Sequence, residues 1–457
     1  MLLGACLGAG AARAQLPPQR CAGPPSAPAA AARAPAREPT VKDYEQILLR
    51  QPRSAHDYYD HGVLHERMGQ YASAILDYSQ AIGLDPCLAQ AYERRGAAYA
   101  SMGQFERALK DLDESIRIDP NSSSAYVNRG AAYEAMGQNQ RALADFSQAI
   151  ALDPQFANAY LRRGGSFELT GELDRAVQEY GEAIRINPND AQAFFFRGRT
   201  LIRQRQFERA LDDLDQAIRL DPRDAKAHQS RAAVFAAIGD HARSIQDYSV
   251  AIRLDAQYAL AYQGRGDAYA RTGQPERALQ DYSEAIRINP KNAYAYYSRG
   301  LVHAGNKDYQ RSIEDLNEAI QRKPDFALAF RSRGMSYQKL KQHERAVADF
   351  EAAIRLDARD TIALNELAWL LATSEQARWR NGKRAVELAR TACNITGWKV
   401  PGLFDTYAAA LAEAGKFEDA VKWQEAALES VEFARAHGAG ARARLQLYRE
   451  GKPYRAP

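Results

Sequence analysis

The sequence predicts an all-α solenoid, and three observations support this fold class. Alanine, leucine, arginine and glutamate are abundant, whereas the long alternating runs of valine, isoleucine and threonine that predict strands are absent. A tripeptide that ends a helix-length segment, Leu84–Pro86, returns in related form every 34 residues as far as Ala358. Each 34-residue unit contains two segments of helix length. Because a single helix pair cannot bury its own apolar face, neighbouring units must stack along the chain.

The period also predicts the domain organisation. Nine regular units occupy residues 55–360, and two divergent units with an inserted loop at 373–383 occupy residues 361–431. Residues 41–54 match only the second helix of a unit, which predicts an N-terminal capping helix. Residues 432–457 predict a polar C-terminal capping helix and tail.

The first 40 residues predict export. An apolar stretch is followed by Ala-Arg-Ala before Gln15, which fits the cleavage site of a secretory signal, so residues 1–14 are interpreted as a signal peptide. Residues 15–40 are rich in proline and alanine and predict a linker. We expect a periplasmic or extracellular protein without a transmembrane segment. The alternatives are a lipid anchor at Cys6 and a chain that stays in the cytoplasm.

The second unit carries the residue pattern of a known repeat. It places a large residue, a glycine, an aromatic, a small residue, a large residue, a small residue and a proline at Tyr92, Gly96, Tyr99, Ala108, Leu112, Ser115 and Pro120. With the 34-residue period, this pattern resembles the tetratricopeptide repeat. The resemblance covers most of the chain. It implies a right-handed superhelical α-solenoid of about eleven helix-turn-helix repeats.

The composition and motifs argue against catalysis and against nucleic acid as a partner. The formal net charge of the 457 residues is only +4, and aromatic residues are not interleaved with basic stripes. His61 and His65 are spaced as neighbours on a helix, but the order is not that of a zinc protease and no third ligand follows. Phosphate-binding and nucleophile motifs are absent from the sequence. We therefore expect no enzymatic activity, no cofactor and no metal.

The resemblance implies that a partner binds to the concave surface formed by the first helix of each repeat. Positions are counted within each 34-residue unit, so that Ala55 is position 1 of the first unit. At position 5 of three successive units the chain carries Val127, Leu161 and Phe195, which predict an apolar patch. Arg199 and Arg203 flank this patch and are expected to orient an acidic group of the partner. Tyr294, Tyr297 and Leu301 predict a second patch. The alternative for both patches is that these residues pack between neighbouring first helices.

The predicted function is that of a non-catalytic scaffold that binds a peptide or a partner protein along this groove. An accessory or assembly subunit of a cell-envelope complex, with contacts through the convex face or the caps, is the alternative. A solenoid that binds carbohydrate or nucleic acid is a weaker alternative. The inserted loop adds a candidate contact surface, since it carries basic residues around Trp379. The other interpretation is a solvated loop that one buried tryptophan anchors.

One charged position falls on a helix face that the apolar periodicity predicts to be buried. Position 7 holds an arginine in eight of the nine regular units and a histidine, His61, in the first, while position 23 of these units holds a carboxylate. Because a lone buried charge is costly, we predict a repeated ion pair within or between units. The predicted pairs include Arg95 with Asp111, Arg129 with Asp145, Arg197 with Asp213, and Arg265 with Asp281. In the two divergent units the corresponding residues are Leu367 with Leu388 and Tyr407 with Trp423.

Overall fold

The computed structural model describes residues 52–456, which form 23 α-helices, one 3₁₀ helix and no named strand. The all-α fold predicted from the sequence is confirmed for this part of the chain. The predicted signal peptide (1–14) and linker (15–40) lie outside the described residues. So does nearly all of the predicted N-terminal capping helix (41–54).

The chain divides into two compact units, with the boundary between Pro222 and Arg223. The described part of the first unit contains α1 (Ala55–Arg67), α2 (Tyr71–Leu84), α3 (Ala89–Ser101), α4 (Phe105–Ile118), α5 (Ser123–Ala135), α6 (Asn139–Leu152), α7 (Ala157–Thr170), α8 (Leu173–Ile186), α9 (Ala191–Arg203) and α10 (Phe207–Leu220).

The second unit begins with α11 (Ala225–Ala237), α12 (His241–Leu254), α13 (Ala259–Arg271), α14 (Pro275–Ile288), α15 (Ala293–Gly305), α16 (Tyr309–Arg322), α17 (Ala327–Lys339) and α18 (His343–Leu356). It continues with α19 (Thr361–Thr373), the 3₁₀ helix Ala377–Trp379, α20 (Gly382–Ile395), α21 (Pro401–Glu413), α22 (Phe417–Glu429) and α23 (Val431–Arg449).

Consecutive helices form the pairs that the 34-residue period predicts. In each of the two compact units, an odd-numbered helix packs on the even-numbered helix that follows it, and the two form one 34-residue repeat. The second helix of a pair packs in turn on the first helix of the next pair, and successive first helices also touch. Each unit is therefore an α-solenoid whose core lies between stacked helix pairs.

A left-handed residue ends the first helix of most pairs. Gly103 (φ 72°) and Gly137 (φ 73°) take this conformation at no steric cost. At the same position of the repeat, Arg205 (φ 59°), Lys307 (φ 63°) and Lys341 (φ 56°) also adopt it. Side chains with a Cβ disfavour this region, so these three turns are strained relative to their glycine counterparts.

A glycine in the first helix lets the two helices of a pair come close together. A Cβ atom at Gly130 would lie 2.6 Å from Cε1 of Phe146, and one at Gly96 would lie 2.8 Å from Cγ of Leu112. Phe146 and Leu112 are fully buried, as is Ala142 on the second helix. The close approach is what encloses these side chains, so the glycine is required by packing here.

Candidate partner-binding surfaces

The position 7 arginines lie between the two helices of their repeats. The Arg95 Nε and Nη2 atoms donate hydrogen bonds of 2.7 and 2.8 Å to the two carboxylate oxygens of Asp111. The two side chains are 18% and 8% exposed. The same two-bond arrangement joins Arg129 to Asp145, Arg163 to Glu179, Arg197 to Asp213, Arg231 to Asp247, Arg265 to Asp281, Arg299 to Asp315, and Arg333 to Asp349.

The remaining guanidinium nitrogen links one repeat to the preceding one. Nη1 of Arg129 donates to Asp113 at 2.8 Å, and Nη1 of Arg95 donates to Oγ of Ser79 at 3.0 Å. Equivalent bonds run from Arg163 to Ser147, from Arg265 to Ser249, from Arg299 to Ser283, and from Arg333 to Asn317. The arginine therefore connects three helices, two in its own repeat and one in the repeat before it.

The pairing raises the pKa of several of these arginines. The hydrogen bond that Arg129 donates to Asp145 is the main cause that raises the pKa of Arg129 above its ordinary value. The hydrogen bonds to Asp281 and Asp315 likewise raise the pKa of Arg265 and Arg299. Since both hydrogen-bonding edges of these guanidinium groups have partners within the fold, the arginines form internal architecture.

The arginine is replaced at both ends of the series. In the first repeat position 7 is His61, and the position 23 carboxylate, Asp77, lies 3.5 Å from Nε2 of His65, one turn further along α1. In the tenth repeat, Leu367 and Leu388 are buried in one apolar cluster. In the eleventh, the rings of Tyr407 and Trp423 meet edge to face with centroids 5.6 Å apart. The same structural position is thus filled by apolar contacts in the last two repeats.

The first predicted patch is mostly inaccessible to a partner. Val127 is 3% exposed and lies in a cluster with Phe146, while Phe195 is 8% exposed and packs on Phe196 at a centroid distance of 5.4 Å. Only Leu161 keeps part of its surface. The expectation of an open apolar patch therefore does not hold for Val127 and Phe195. Their side chains fill the space inside and between helix pairs.

Leu161 instead lines a cavity of about 360 Å³ together with Arg199 and Arg203. Glu168, which the sequence analysis did not single out, is buried in the wall of this cavity. It pairs with Nη2 of Arg199 at 2.9 Å and with Nη1 of Arg203 at 3.3 Å. Tyr180 also donates a hydrogen bond to Glu168. The acidic group that these arginines contact is therefore one of the chain's own residues.

The second predicted patch is exposed and is part of a longer surface. Tyr294 and Leu301 on α15 are exposed, whereas Tyr297 is partly buried and packs against Phe326, with the two rings tilted at 45°. Nζ of Lys323 donates to the Tyr294 hydroxyl at 2.8 Å. Further exposed apolar residues stand at positions 2 and 9 of neighbouring first helices. We call the set the apolar row: Leu260, Tyr294, Leu301, Leu328, Met335 and Ile362, which are between 39% and 56% exposed.

The apolar row has no counterpart in the first unit of the chain. At position 2 of the first five repeats the chain carries polar residues: His56, Gln90, Ser124, Asn158 and Gln192. In the seventh to tenth repeats this position becomes leucine, tyrosine, leucine and isoleucine. Three row residues that the sequence analysis missed, Leu260, Leu328 and Ile362, stand at position 2, and a comparison of that position between repeats would have revealed them. Met335, at position 9, was missed as well.

The inserted loop is held against the end of α21. Arg380 donates to Oε1 of Glu413 at 3.1 Å and to the carbonyl oxygens of two loop residues. A Cβ atom at Gly382 would lie 2.7 Å from the backbone nitrogen of Ala414, so the start of α20 directly abuts α21. Trp379 is partly buried against the C-terminal core. Arg378 remains exposed beside it.

Two further properties concern the described residues as a whole. Between residues 52 and 456, no group of three or more histidine, cysteine or acidic side chains is placed to hold a metal ion. Over the same range, no helix combines the length and the apolar character that crossing a membrane requires.

Repeated helix pairs with one register of 34 residues define an α-solenoid repeat protein. Family profiles described as TPR repeat match residues 67–103, 98–137 and 266–307, and profiles described as tetratricopeptide repeat match residues 127–191, 197–259, 293–326 and 332–360. Together these matches cover more than half of the chain. The chain belongs to the tetratricopeptide repeat family. No curated protein matches its sequence significantly.

Many solved structures resemble the chain. YrrB, described as a TPR protein with an unusual peptide-binding site, is 23% identical with a TM-score of 0.37, over 41% of this chain and 97% of YrrB. The APC/C hetero-tetramer Cut9–Hcn1 is 17% identical with a TM-score of 0.46, over 78% of this chain and 76% of the matched one. Yeast Tom70 is 16% identical with a TM-score of 0.41, over 87% and 96% of the two chains.

Proposed function

We propose that this chain is a non-catalytic scaffold that binds a partner protein through the apolar row of its C-terminal unit. Tetratricopeptide repeats are typical of protein–protein interaction, and the row supplies the particular surface. The single observation that supports this choice is the exposure of six large apolar side chains on four successive first helices. Large exposed apolar side chains grouped on neighbouring helices mark an interaction site when they form a patch.

The register of the row defines the shape of the partner segment. Positions 2 and 9 lie seven residues apart, so Tyr294 and Leu301 project from the same face of α15. Leu328 and Met335 repeat this arrangement on α17. A partner segment that presents one apolar stripe, such as an amphipathic helix, would cover both levels at once.

Basic residues at the ends of the first helices favour a partner with acidic flanks. Arg271 ends α13 and Lys339 ends α17, and both are exposed. Each occupies position 13 of its repeat, four residues after position 9 and therefore on the same face. Charges at the rim of an interface mainly accelerate association and select the partner. We therefore propose an amphipathic segment with acidic residues beside its apolar stripe.

The proposal predicts that polar substitutions in the row abolish binding. In L260S/L328S/I362S, three buried contacts are lost, and at about 1.5 kcal/mol each the affinity should fall by at least about a hundredfold. A photo-crosslinker at position 328 in the native host should capture a specific protein. Helix content should stay unchanged, because these side chains are exposed in the free chain.

The first unit provides a matched control. Leu76, Leu84 and Leu169 are more exposed than the row residues but belong to the first compact unit and not to the row, so L76S/L84S/L169S should bind the partner normally. A crosslinker at position 76 should not capture the same protein. Retained binding by the row variant, or equal capture at both positions, would show that the row is not the binding surface.

Export to the periplasm or the extracellular space stays a proposal based on residues 1–14, and the lipoprotein and cytoplasmic alternatives stand beside it. Fractionation of cells that express the native gene tests it. A mature chain that begins at Gln15 in the exported fraction supports the proposal, and an uncleaved cytoplasmic chain contradicts it.

A further inference from the structure

A second site lies at the C-terminal end of the chain. A cavity of about 850 Å³ is lined by residues of α17, α19, α21 and α23, among them Met335, Trp369, Thr406 and His437. Trp369 occupies position 9 of its repeat and so continues the register of Leu301 and Met335. The cavity therefore lies beside the first helices of the last three repeats.

Residues 452–456 of the chain, which we call the tail, enter this site as an extended segment. The backbone nitrogen of Ala456 donates a 2.8 Å hydrogen bond to the carbonyl oxygen of Thr373, and Ala456 forms a parallel bridge with Ser374. Ala456 itself lines the cavity. The end of α19 thus pairs with the tail as a strand edge pairs with an added peptide.

Two side chains of the tail contact specific residues of the site. The Tyr454 ring lies 6.1 Å from the Trp369 ring, and the guanidinium carbon of Arg444 lies 5.4 Å from the Tyr454 ring centroid. Nη1 of Arg455 lies 2.7 Å from Oε2 of Glu413. An aromatic platform and a carboxylate therefore receive an aromatic residue and the arginine that follows it.

The attachment of the tail is slight for a structural cap. The first tail residue, Lys452, is exposed and the other four are only half-buried. One backbone hydrogen bond, from Ala456 to Thr373, holds the tail to α19. Tyr454 packs at the edge of the C-terminal apolar cluster, but no tail residue is fully buried, and a short stretch of this kind opens at a lower free-energy cost than the helices do. The tail can therefore leave its site without unfolding of the helices beneath it.

The site also has hydrogen-bonding groups that the tail does not use. Ser374 is 5% exposed and lines the cavity, and its Oγ atom has no hydrogen-bond partner. Oδ1 of Asn365, also in the cavity wall, has none either. Buried polar groups are normally satisfied, so these two atoms indicate a ligand that extends further into the cavity than the tail does.

We propose that the tail is a displaceable occupant of a peptide-binding site. The site takes an extended partner segment that carries an aromatic residue followed by arginine. Trp369 and Arg444 receive the aromatic ring, and Glu413 receives the arginine. Ser374 and Asn365 bind the backbone of the residues beyond. The tail and the site belong to one chain, so the tail competes with the partner at a high effective concentration.

The tail peptide itself tests this inference without any outside partner. We would measure fluorescence anisotropy of a labelled KPYRAP peptide, residues 452–457, with a chain shortened to end at Gly451. The shortened chain should bind the peptide saturably. The full chain should bind it at least about tenfold more weakly, because the tethered tail competes at roughly millimolar effective concentration. Glu413→Gln in the shortened chain should remove binding.

Matched variants make each outcome decisive. A KPAAAP peptide should not bind, because it lacks both recognised side chains. The full-length Y454A/R455A chain keeps every residue of the folded site and should bind KPYRAP more tightly than the unaltered chain. If the shortened chain loses helix content, this variant decides alone. Equal binding of the two peptides, no binding by a folded shortened chain, or no gain in Y454A/R455A would overturn the proposal. Met335 belongs both to the apolar row and to the cavity wall, but no variant used here alters a row residue, so failure of this proposal is distinguishable from failure of the proposed function.

Discussion

The regular repeats and the last two repeats fill one structural position in opposite ways. In eight regular repeats, an arginine on the first helix pairs with a carboxylate on the second, as Arg197 does with Asp213 at 2.7 Å. In the tenth repeat two leucines occupy the position, and in the eleventh Tyr407 meets Trp423. The helix pair of a repeat therefore accommodates either an ion pair or an apolar contact at this position.

The difference shows that the two members of the pair must change together. A carboxylate such as Asp213, 7% exposed at its side chain, would lose its charge partner if the arginine were absent. Removing one partner of a buried pair costs about 3–5 kcal/mol, whereas replacing both by apolar residues is often nearly neutral. The ion pair therefore adds little net stability. Each of its members requires the other, and the arginine also connects neighbouring repeats.

The apolar repeats extend this contrast through a larger aromatic cluster. Trp398 stacks on Trp423 with centroids 4.5 Å apart and meets Tyr407 edge to face at 5.6 Å. Such ring pairs contribute about 0.5–1.5 kcal/mol beyond the area that they bury. The C-terminal repeats thus obtain from aromatic packing what the regular repeats obtain from charge-assisted hydrogen bonds.

The largest predicted effect comes from placing a carboxylate in the apolar tenth repeat. Leu388 is buried and faces a cluster that contains Leu367. Leu388→Asp should therefore lower the free energy of unfolding of the C-terminal repeats by about 4 kcal/mol. Urea unfolding followed by tryptophan fluorescence reports this region, since all four tryptophans lie between residues 369 and 423.

The matched control for that variant restores the regular pair. In L367R/L388D, the arginine can pair with the new aspartate, and Glu351 of the preceding repeat stands at the position that accepts the third bond elsewhere. The double variant should recover at least about 2 kcal/mol of the loss. A double variant no more stable than Leu388→Asp alone would mean that the pair needs surroundings found only in the regular repeats.

A small gain in stability is predicted at the turns. Lys307 takes the left-handed conformation that glycine takes at the same position of other repeats, with φ 63°. Lys307→Gly should raise the free energy of unfolding by about 0.5–1 kcal/mol, because the strain is relieved. Thermal unfolding of the variant measures this change.

Gly137→Ala provides the reverse substitution at a turn with φ 73°. It should lower the stability of the first unit by a similar amount. If Lys307→Gly were less stable than the unaltered chain, the higher conformational entropy that glycine gives the unfolded state would outweigh the relief of strain at this turn.

The fold was predictable from the sequence because the same residue pattern recurs in many repeats. One 34-residue register specifies the helix pairs, and the left-handed turns fall where Gly103 and Gly137 stand. The register also places each position 7 arginine opposite a carboxylate, as in Arg95 and Asp111. A single residue pair in a non-repetitive fold would give no such signal.

Side-chain exposure was much less predictable than the fold. Val127 and Phe195 stand at a position that the resemblance associates with binding, yet their side chains are buried among neighbouring helices. Whether a residue at that register is exposed depends on the size of its neighbours, which differ from repeat to repeat. Glu168 was missed for a similar reason, since its partners Arg199 and Arg203 come from the next repeat.

The most direct test of the paired position is a double-mutant cycle on Arg197 and Asp213. Hydrogen exchange of the amides in α9 and α10 would report local stability in R197L, D213L and R197L/D213L. We predict that Arg197→Leu costs about 3 kcal/mol and that the double variant costs less than about 1 kcal/mol, a coupling of at least about 2 kcal/mol. A double variant as unstable as the single one, or less stable, would contradict the account.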